Sequence, residues 1–421
     1  MTFWCALALI IAVKSAAFSG RHTVWPIFEE ASRHWWAGQS LYVQYGDRDL
    51  FRYSPTFAIA LTPVAVLPTW LGGSVWGALS VFLLYSSLQS LWRWVLHDHF
   101  QPTDRHVFML LAGLGAAPMV WNLQSNAIVL ALLAFGAATV VRQRWWTAAA
   151  LFTLPVFIKL WPAAIAMLFA ACWPRQLIGR LAAITAILLA VPFLTASPEQ
   201  VIATYQDWGR SLGQDQAARR PAYRDALTIW AVTGLPADPT AFRVVGLGAA
   251  AGAALVCWFS LRRASDPRQA VLVALGLGVC WELLFGPGSE QNTYGVVLPL
   301  VGWAALFTRD RRYERYWVAA TFTAMALLSC GDVESGLGKL FPGIRAVLPA
   351  TAASFAVWLT WFGLRGEALA AVGGPAGDSL RSDSPENADA AAKILHFRIT
   401  HHDNRLSDNT PSPSLDPAAR D

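Results

Sequence analysis

The chain has 421 residues, 55% hydrophobic and only 14% charged, with 21 tryptophans and a mean hydropathy of +0.40. An ordinary soluble domain carries about 25% charged residues, so a water-soluble globule is excluded and an all-α polytopic membrane protein is expected. The formal net charge of +5 makes no case for nucleic acid, because the basic residues lie in short clusters between apolar runs.

The first apolar stretch, 3–19, lacks a basic leader region and is followed by many others, so it reads as a retained membrane helix rather than a signal peptide. A long loop, 20–52, follows. In it Trp25, Phe28, Ala31, Trp35 and Trp36 recur at helical spacing and leave Glu29, Arg33 and Gln39 on a polar side. That pattern predicts an amphipathic helix on the membrane surface, its aromatics acting as interface anchors. Glu29, Glu30, Asp47 and Asp49 crowd this loop beside Arg48 and Arg52.

The next stretch, 54–68, "SPTFAIALTPVAVLP", is apolar but short and carries three prolines. It reads as re-entrant, which requires that protein cover its backbone. Spans are then expected at 70–92, 106–121, 123–141, 146–158, 160–173, 181–196, 243–261, 268–284, 294–307, 316–331 and 344–363, about twelve in all with the first. The membrane domain is thus 1–364, and the Asp-, Ser-, Pro- and Asn-rich segment 365–421 reads as a disordered tail. Five cysteines lie singly and form neither a metal-binding pattern nor a disulfide framework.

One set of connections is short and arginine-dense: 93–105, 142–144, 173–180, 262–268 and 308–315. The other set, 20–52, 122–127, 158–160, 196–242, 285–293 and 332–343, is long and no richer in basic residues. Lys and Arg concentrate in cytoplasmic loops, so both termini and the tail are expected in the cytoplasm. The chemically varied loops then share the outer side of the cytoplasmic membrane.

Those loops hold the candidate site residues. "VWNLQSNAIVL" carries Asn122, Gln124 and Asn126, amides that either cap the helix beginning near Ala127 or hydrogen-bond a polyol. "VFIKLWPAAI" places Lys159 in apolar sequence, where it either snorkels to the interface or meets a phosphate. Arg219, Arg220 and Arg224 are either a phosphate grip or solvated surface. "LLFGPGSEQNTYGVVLPL" interrupts an apolar run with Gly286, Gly288, Ser289, Glu290, Gln291, Asn292 and Thr293, and Tyr294 follows. Glu282, about two helical turns before Glu290, reads as a buried structural acid paired with an arginine or amide. Carboxylates, amides and cations gathered in one outward-facing polar cavity at the lipid boundary suit a lipid-linked phosphorylated sugar.

The pieces "WWAGQSLY", "FRYSPTFAIALTPVAVLP", "WNLQSNAIVLALL", "FIKLWPAAIAMLF" and "GPGSEQNTYGVVLPL" occur in an order that resembles the polyprenyl-phosphate-sugar-dependent glycosyltransferases of family 87, also called domain of unknown function 2029. The resemblance covers roughly residues 20–310. It implies a GT-C-like helical bundle that moves a hexose, mannose or a relative, from a polyprenyl phosphate carrier to a lipid or glycan acceptor. The sequence departs from the pattern twice. Val24, with His22 nearby, stands where the family has an acid before the aromatic matched by Phe28, and Glu290, Asn292 and Thr293 stand in a motif usually bearing Trp and His.

The implied chemistry is inverting displacement at the anomeric carbon, with no cofactor or metal beyond the lipid-linked donor. Glu30 is the first choice for the general base, with Glu29 and Asp49 behind it. Arg52 and Lys159 are expected at the phosphate, and Asn122, Gln124, Gln291 and Asn292 at sugar hydroxyls. Tyr53, Asn126, Arg224, Glu290 and Tyr294 complete the expected donor site. The expected partners are the donor, the acceptor and membrane lipids. Two other readings stay open: a flippase or transporter of lipid-linked sugars, and a non-catalytic membrane assembly subunit. The transporter is the main rival, but transporters usually show paired repeats and the sequence shows none; the polar stretch 286–293 makes the assembly subunit less favoured still.

Overall fold

Three helices start at the same kind of signal, a short polar side chain followed by proline. Ser54 accepts a hydrogen bond from Phe57 N at 3.2 Å, Asp238 from Thr240 N at 2.9 Å and Asp266 from Arg268 N at 2.8 Å. Each side chain satisfies an otherwise unpaired donor, and the proline fills a position where no N–H is needed. The computed structural model describes residues 1–18, 23–44, 49–218 (backbone only for 214–218), 223–235, 238–264 and 266–365. The expected tail from 366 onward lies outside them, as do His22, Asp47, Arg48, Arg219 and Arg220.

Among the described residues every regular element is helical. In chain order these are α1 (Thr2–Ala17), α2 (Trp25–Trp36), α3 (Pro55–Ala60), α4 (Thr62–Ala65), α5 (Thr69–Leu91), α6 (Asp104–Trp121), α7 (Asn126–Val141), α8 (Trp145–Ile158) and α9 (Pro162–Cys172). Then come α10 (Pro174–Ala190), α11 (Pro198–Ala218), α12 (Ala226–Thr233), α13 (Pro239–Arg263), α14 (Pro267–Phe285), α15 (Leu298–Phe307), α16 (Glu314–Leu328), α17 (Gly331–Gly338) and α18 (Val347–Arg365).

Five helical stretches are long and apolar enough to cross a membrane: Thr69–His99, Pro174–Leu194, Pro239–Arg263, Pro267–Phe285 and Pro342–Arg365. The pair α16 and α17, bent by 94°, would make a sixth. The expected count of about twelve is not confirmed. The physical reason is length: α8 has 14 residues and α9 has 11, or about 21 and 16 Å at 1.5 Å per residue, against a hydrocarbon core of about 30 Å. The chain thus has the apolar helices of a membrane protein.

Helix α2 forms over the predicted residues, but Trp25, Phe28 and Trp35 are buried against protein, and of its aromatics Trp36 alone is exposed. Phe28 packs edge-on to Tyr53, Phe57 and Trp76, with centroids 5.0 to 5.6 Å apart. Trp25 lies so close to α5 that a Cβ at Gly72 would fall 2.6 Å from its ring. The stretch 54–68 forms α3 and α4, and both pack on α2. Its two ends return to that same helix, Tyr53 meeting Phe28 and Thr69 meeting Glu29. Protein covers α3 from Pro55 to Ala58, while Ala60, Pro63, Val66 and Pro68 remain exposed.

The two sets of connections sort to two ends. At one end Arg309 pairs with Asp104 at 2.7 Å, Arg268 pairs with Asp98, and Arg142 lies over Trp94. At the other, Val24 N donates to Asn122 O at 3.1 Å, Trp35 Nε1 to Thr195 Oγ1 at 3.2 Å, and Arg224 N to Ser289 O at 2.7 Å. Helix α14, buried along nearly its whole length, runs between them and ends at the polar connection 286–293.

Candidate active site

A cavity of about 690 Å³ opens at the second end. Its walls come from the start of α2, the loop 49–53, the turn after α6, the α8–α9 break, the end of α14 and the connection 287–293. Asp49, Arg52, Tyr53, Asn122, Gln124, Lys159, Glu290, Gln291 and Asn292 all line it. Residues spread over more than half the chain thus meet in one space.

The first-loop side of this wall is held by backbone contacts. Arg52 Nη2 pairs with Asp49 Oδ1 at 2.6 Å while Nη1 donates to Leu50 O at 2.9 Å. Trp208 Nε1 donates to Arg52 O, and Ser54 Oγ to Phe157 O. Burial pushes the Tyr53 phenol up to about 12, so at neutral pH it keeps its proton and can donate it in a hydrogen bond.

Amides and cation form a second cluster. Lys159 sits in extended backbone where α8 ends, since the following Leu-Trp-Pro restarts the helix as α9. Its Nζ donates to Asn126 Oδ1 at 2.7 Å, and Asn126 Nδ2 donates to Gln124 Oε1 at 2.8 Å. The amides do not cap α7, whose cap residue is Ser125, without a side-chain cap bond. Leu123, between Asn122 and Gln124, has φ of +56°, a conformation costly for a bulky side chain. Such strain persists where its surroundings fix it, as at ligand sites. Trp76 Nε1 does so here by donating to Leu123 O at 2.9 Å.

Several expected site residues lie elsewhere. Glu29 is 4% exposed, paired with Arg33 at 2.5 Å and accepting from Thr69 Oγ1 at 3.0 Å. It is a buried link between α2 and α5, on the side of the helix that also carries Arg33. Glu30 also does not line the cavity; its charge acts on His34, whose imidazole is held below its ordinary range chiefly by burial. Arg224, 5% exposed, pairs through two nitrogens with Glu334, itself 3% exposed. Tyr294 is buried, and its hydroxyl donates to Arg224 O at 2.6 Å. Arg224 and Tyr294 therefore brace the polar connection from behind instead of facing a ligand.

Glu282 departs from its reading in the opposite direction. It is buried, but no arginine or amide pairs with it: it lines the cavity, and its Oε2 has no hydrogen-bond partner among the described residues. Trp161 Nε1, Ser211 Oγ and Asn292 Oδ1 share that condition and line the same cavity. Buried polar atoms are nearly always paired, so four unpaired ones among the residues that line one cavity set that cavity apart. Trp161 and Ser211 carried no distinguishing sequence signal. A second cavity, about 550 Å³ at the arginine-rich end, is lined by Arg93, Arg105 and His97 but by no carboxylate. Among the described residues no group of three or more His, Cys, Asp or Glu is placed to hold a metal ion.

The model of glycosyltransferase family 87 matches residues 51–287. The chain belongs to glycosyltransferase family 87. No curated protein matches it. The matched stretch carries Arg52, Tyr53, Asn122, Gln124, Asn126, Lys159 and Glu282. Glu29, Glu30, Asp49 and the connection from Gly288 onward fall outside it. Membership gives this family 87 protein the general activity of a membrane glycosyltransferase.

Proposed function

We propose that this family 87 protein transfers a hexose, mannose or a close relative, from a polyprenyl-phosphate donor to a lipid or glycan acceptor. The reaction takes place at the outer face of the cytoplasmic membrane. The observation that carries this reading is the single cavity lined by carboxylates (Asp49, Glu282, Glu290), amides (Asn122, Gln124, Gln291, Asn292) and two cations (Arg52, Lys159).

In the proposed reaction the acceptor oxygen attacks the anomeric carbon from the face opposite the phosphate, and configuration inverts. The new C–O bond forms as the bond to the phosphate oxygen breaks, through an oxocarbenium-like transition state. The electron pair leaves with the polyprenyl phosphate, and Arg52 and Lys159 stabilise that charge without a general acid. Asp49 takes the acceptor proton. Of the three first-loop acids considered for this role, it is the one that lines the cavity.

The test is incubation of the purified full chain with radiolabelled polyprenyl-phosphate mannose or glucose and a membrane lipid extract. Label moving from donor to a new lipid or glycan supports the reading. Label that only crosses the bilayer of a reconstituted vesicle, still on its carrier, overturns it in favour of transport.

A further inference from the structure

We propose that Glu282, with Trp161 and Asn292, forms a hydroxyl-reading subsite that selects the transferred sugar, and that Gly286 sets the position of the Glu282 carboxylate. This proposal deepens the transferase reading and rests on it.

Glu282 lies in the last turn of α14 and is 1% exposed, yet it lines the cavity with Oε2 unpartnered among the described residues. An unpaired buried carboxylate is expensive, so a fold that keeps one there spends stability without a structural return. The charge that acts on it is that of Lys159, across the same cavity. Lys159 is itself tied to Asn126, which fixes where its charge sits.

The carboxylate's position is specified as well. A Cβ on Gly286 would fall 1.7 Å from Glu282 Oε2 and 2.2 Å from its Cδ, a complete overlap. Gly286 has φ of −74° and ψ of 161°, which any residue adopts. A Cβ there would also lie 2.6 Å from the Glu282 carbonyl oxygen, so the helix end and the carboxyl both need the bare glycine. Gly286 N and Ser289 Oγ both donate to Glu282 O, at 2.8 and 3.0 Å, and hold this corner in place.

The ligand chemistry follows from the atoms. A carboxyl accepts and, when protonated, also donates; an indole N–H only donates, and the Asn292 Oδ1 only accepts. A group that donates and accepts at neighbouring positions satisfies all three, and the vicinal hydroxyls of a pyranose do so. A buried carboxyl with no protein partner leaves its hydrogen bond to the ligand, so Glu282 should weigh most in telling one sugar from another. Deleting the hydroxyl it reads should cost roughly 10–100-fold in donor use, the cost of leaving a buried polar group unpaired.

The experiment pairs polyprenyl-phosphate mannose and its 2-, 3-, 4- and 6-deoxy analogues with the wild type, Glu282→Gln and Gly286→Ala, all full-length in nanodiscs. The wild type should reject one deoxy donor by that factor. Glu282→Gln should transfer the parent sugar more slowly but lose most of the added penalty, because the interaction is already gone. Gly286→Ala, which keeps the carboxylate but displaces it, should do the same. Thermal unfolding is measured on the same samples, and Glu282→Gln should be as stable as the wild type or more so. A wild type that transfers these donors while all three proteins show equal deoxy penalties overturns the subsite and leaves the transferase reading intact. A marked fall in stability of Glu282→Gln makes the residue a structural acid and overturns it too. A wild type that transfers none of the donors removes the transferase reading, and the subsite with it.

Discussion

Lys159 Nζ donates to Asn126 Oδ1 at 2.7 Å, and Asn126 Nδ2 passes the chain to Gln124 Oε1 at 2.8 Å. A cation from the α8–α9 break is thereby tied to an amide of the facing wall. Replacing Lys159 with Met removes the charge proposed to meet the leaving phosphate. Donor turnover should fall by about 10²–10³-fold, as when one preorganised donor to a developing oxyanion is lost. Asn126→Ala leaves the charge but frees the lysine, and should cost about 10-fold, the worth of one modest misplacement. Steady-state kinetics on both variants check this. Equal activity of Lys159→Met and wild type would make the lysine a packing feature.

Arg224 and Glu334 form a buried pair linking the segment before α12 to α17, with Nη2 to Oε2 at 2.9 Å. Both are almost fully buried, so removing one partner strands the other's charge. Arg224→Gln should destabilise by about 3–5 kcal/mol, seen as a lower unfolding temperature and lower membrane yield. The double replacement Arg224→Met with Glu334→Leu should recover much of that loss, since an apolar pair of similar volume is often tolerated. An Arg224→Gln protein of normal stability that fails to use donor would return the arginine to the phosphate.

What the sequence made legible here was local or periodic. Helical spacing placed α2 within its loop, and the short proline-bearing stretch was readable as non-spanning because neither α3 nor α4 is long enough to cross. Arginine density sorted the connections into the two groups that meet in space, because charge clusters are visible in any linear reading. Pairings between distant residues were not visible: Arg224 finds Glu334 across 110 positions, and a guanidinium's spacing says nothing of its partner. The burial of Glu29 was not legible because helical spacing reports a face of α2 but not what packs against it, and Thr69 and Arg33 enclose it there. The span count is not confirmed because hydropathy finds apolar stretches, while crossing also needs length, and α8, α9 and α15 are shorter than the long apolar helices.

The proposed outward placement of the cavity makes a labelling prediction. In a Cys5→Ser background, which removes the exposed native thiol, a cysteine at Ser40 or Gln291 should react with an impermeant reagent in intact cells. One at Arg312, in the arginine-rich connection, should react only after the cells are opened. The concentration of Lys and Arg on the cytoplasmic side motivates this. Reaction at position 312 alone in intact cells would invert the topology and place the cavity in the cytoplasm.

The last prediction concerns the base, and it separates three acids that one loop brings close in sequence. Asp49 lines the cavity and pairs with Arg52 at 2.6 Å, on the wall where the acceptor would enter. Asp49→Asn preserves shape and removes basicity, so transfer should fall by about 10²–10⁴-fold, the usual worth of general acid–base catalysis. Donor binding should survive, because the proposed role is toward the acceptor proton. Glu29→Gln should act differently. It weakens a buried charged link to Arg33 and Thr69, so stability should drop while the turnover of folded protein stays near that of the wild type. Glu30→Gln, outside the cavity and near His34, should change neither by much. The three variants are compared for turnover per folded molecule, with donor affinity and unfolding temperature measured alongside. If Glu30→Gln is inactive while Asp49→Asn turns over normally, then α2 must move to bring Glu30 to the acceptor, and the cavity as described is not the reacting state. If all three transfer sugar at the wild-type rate, the proton goes to none of the first-loop acids, and Glu290 becomes the carboxylate to replace next.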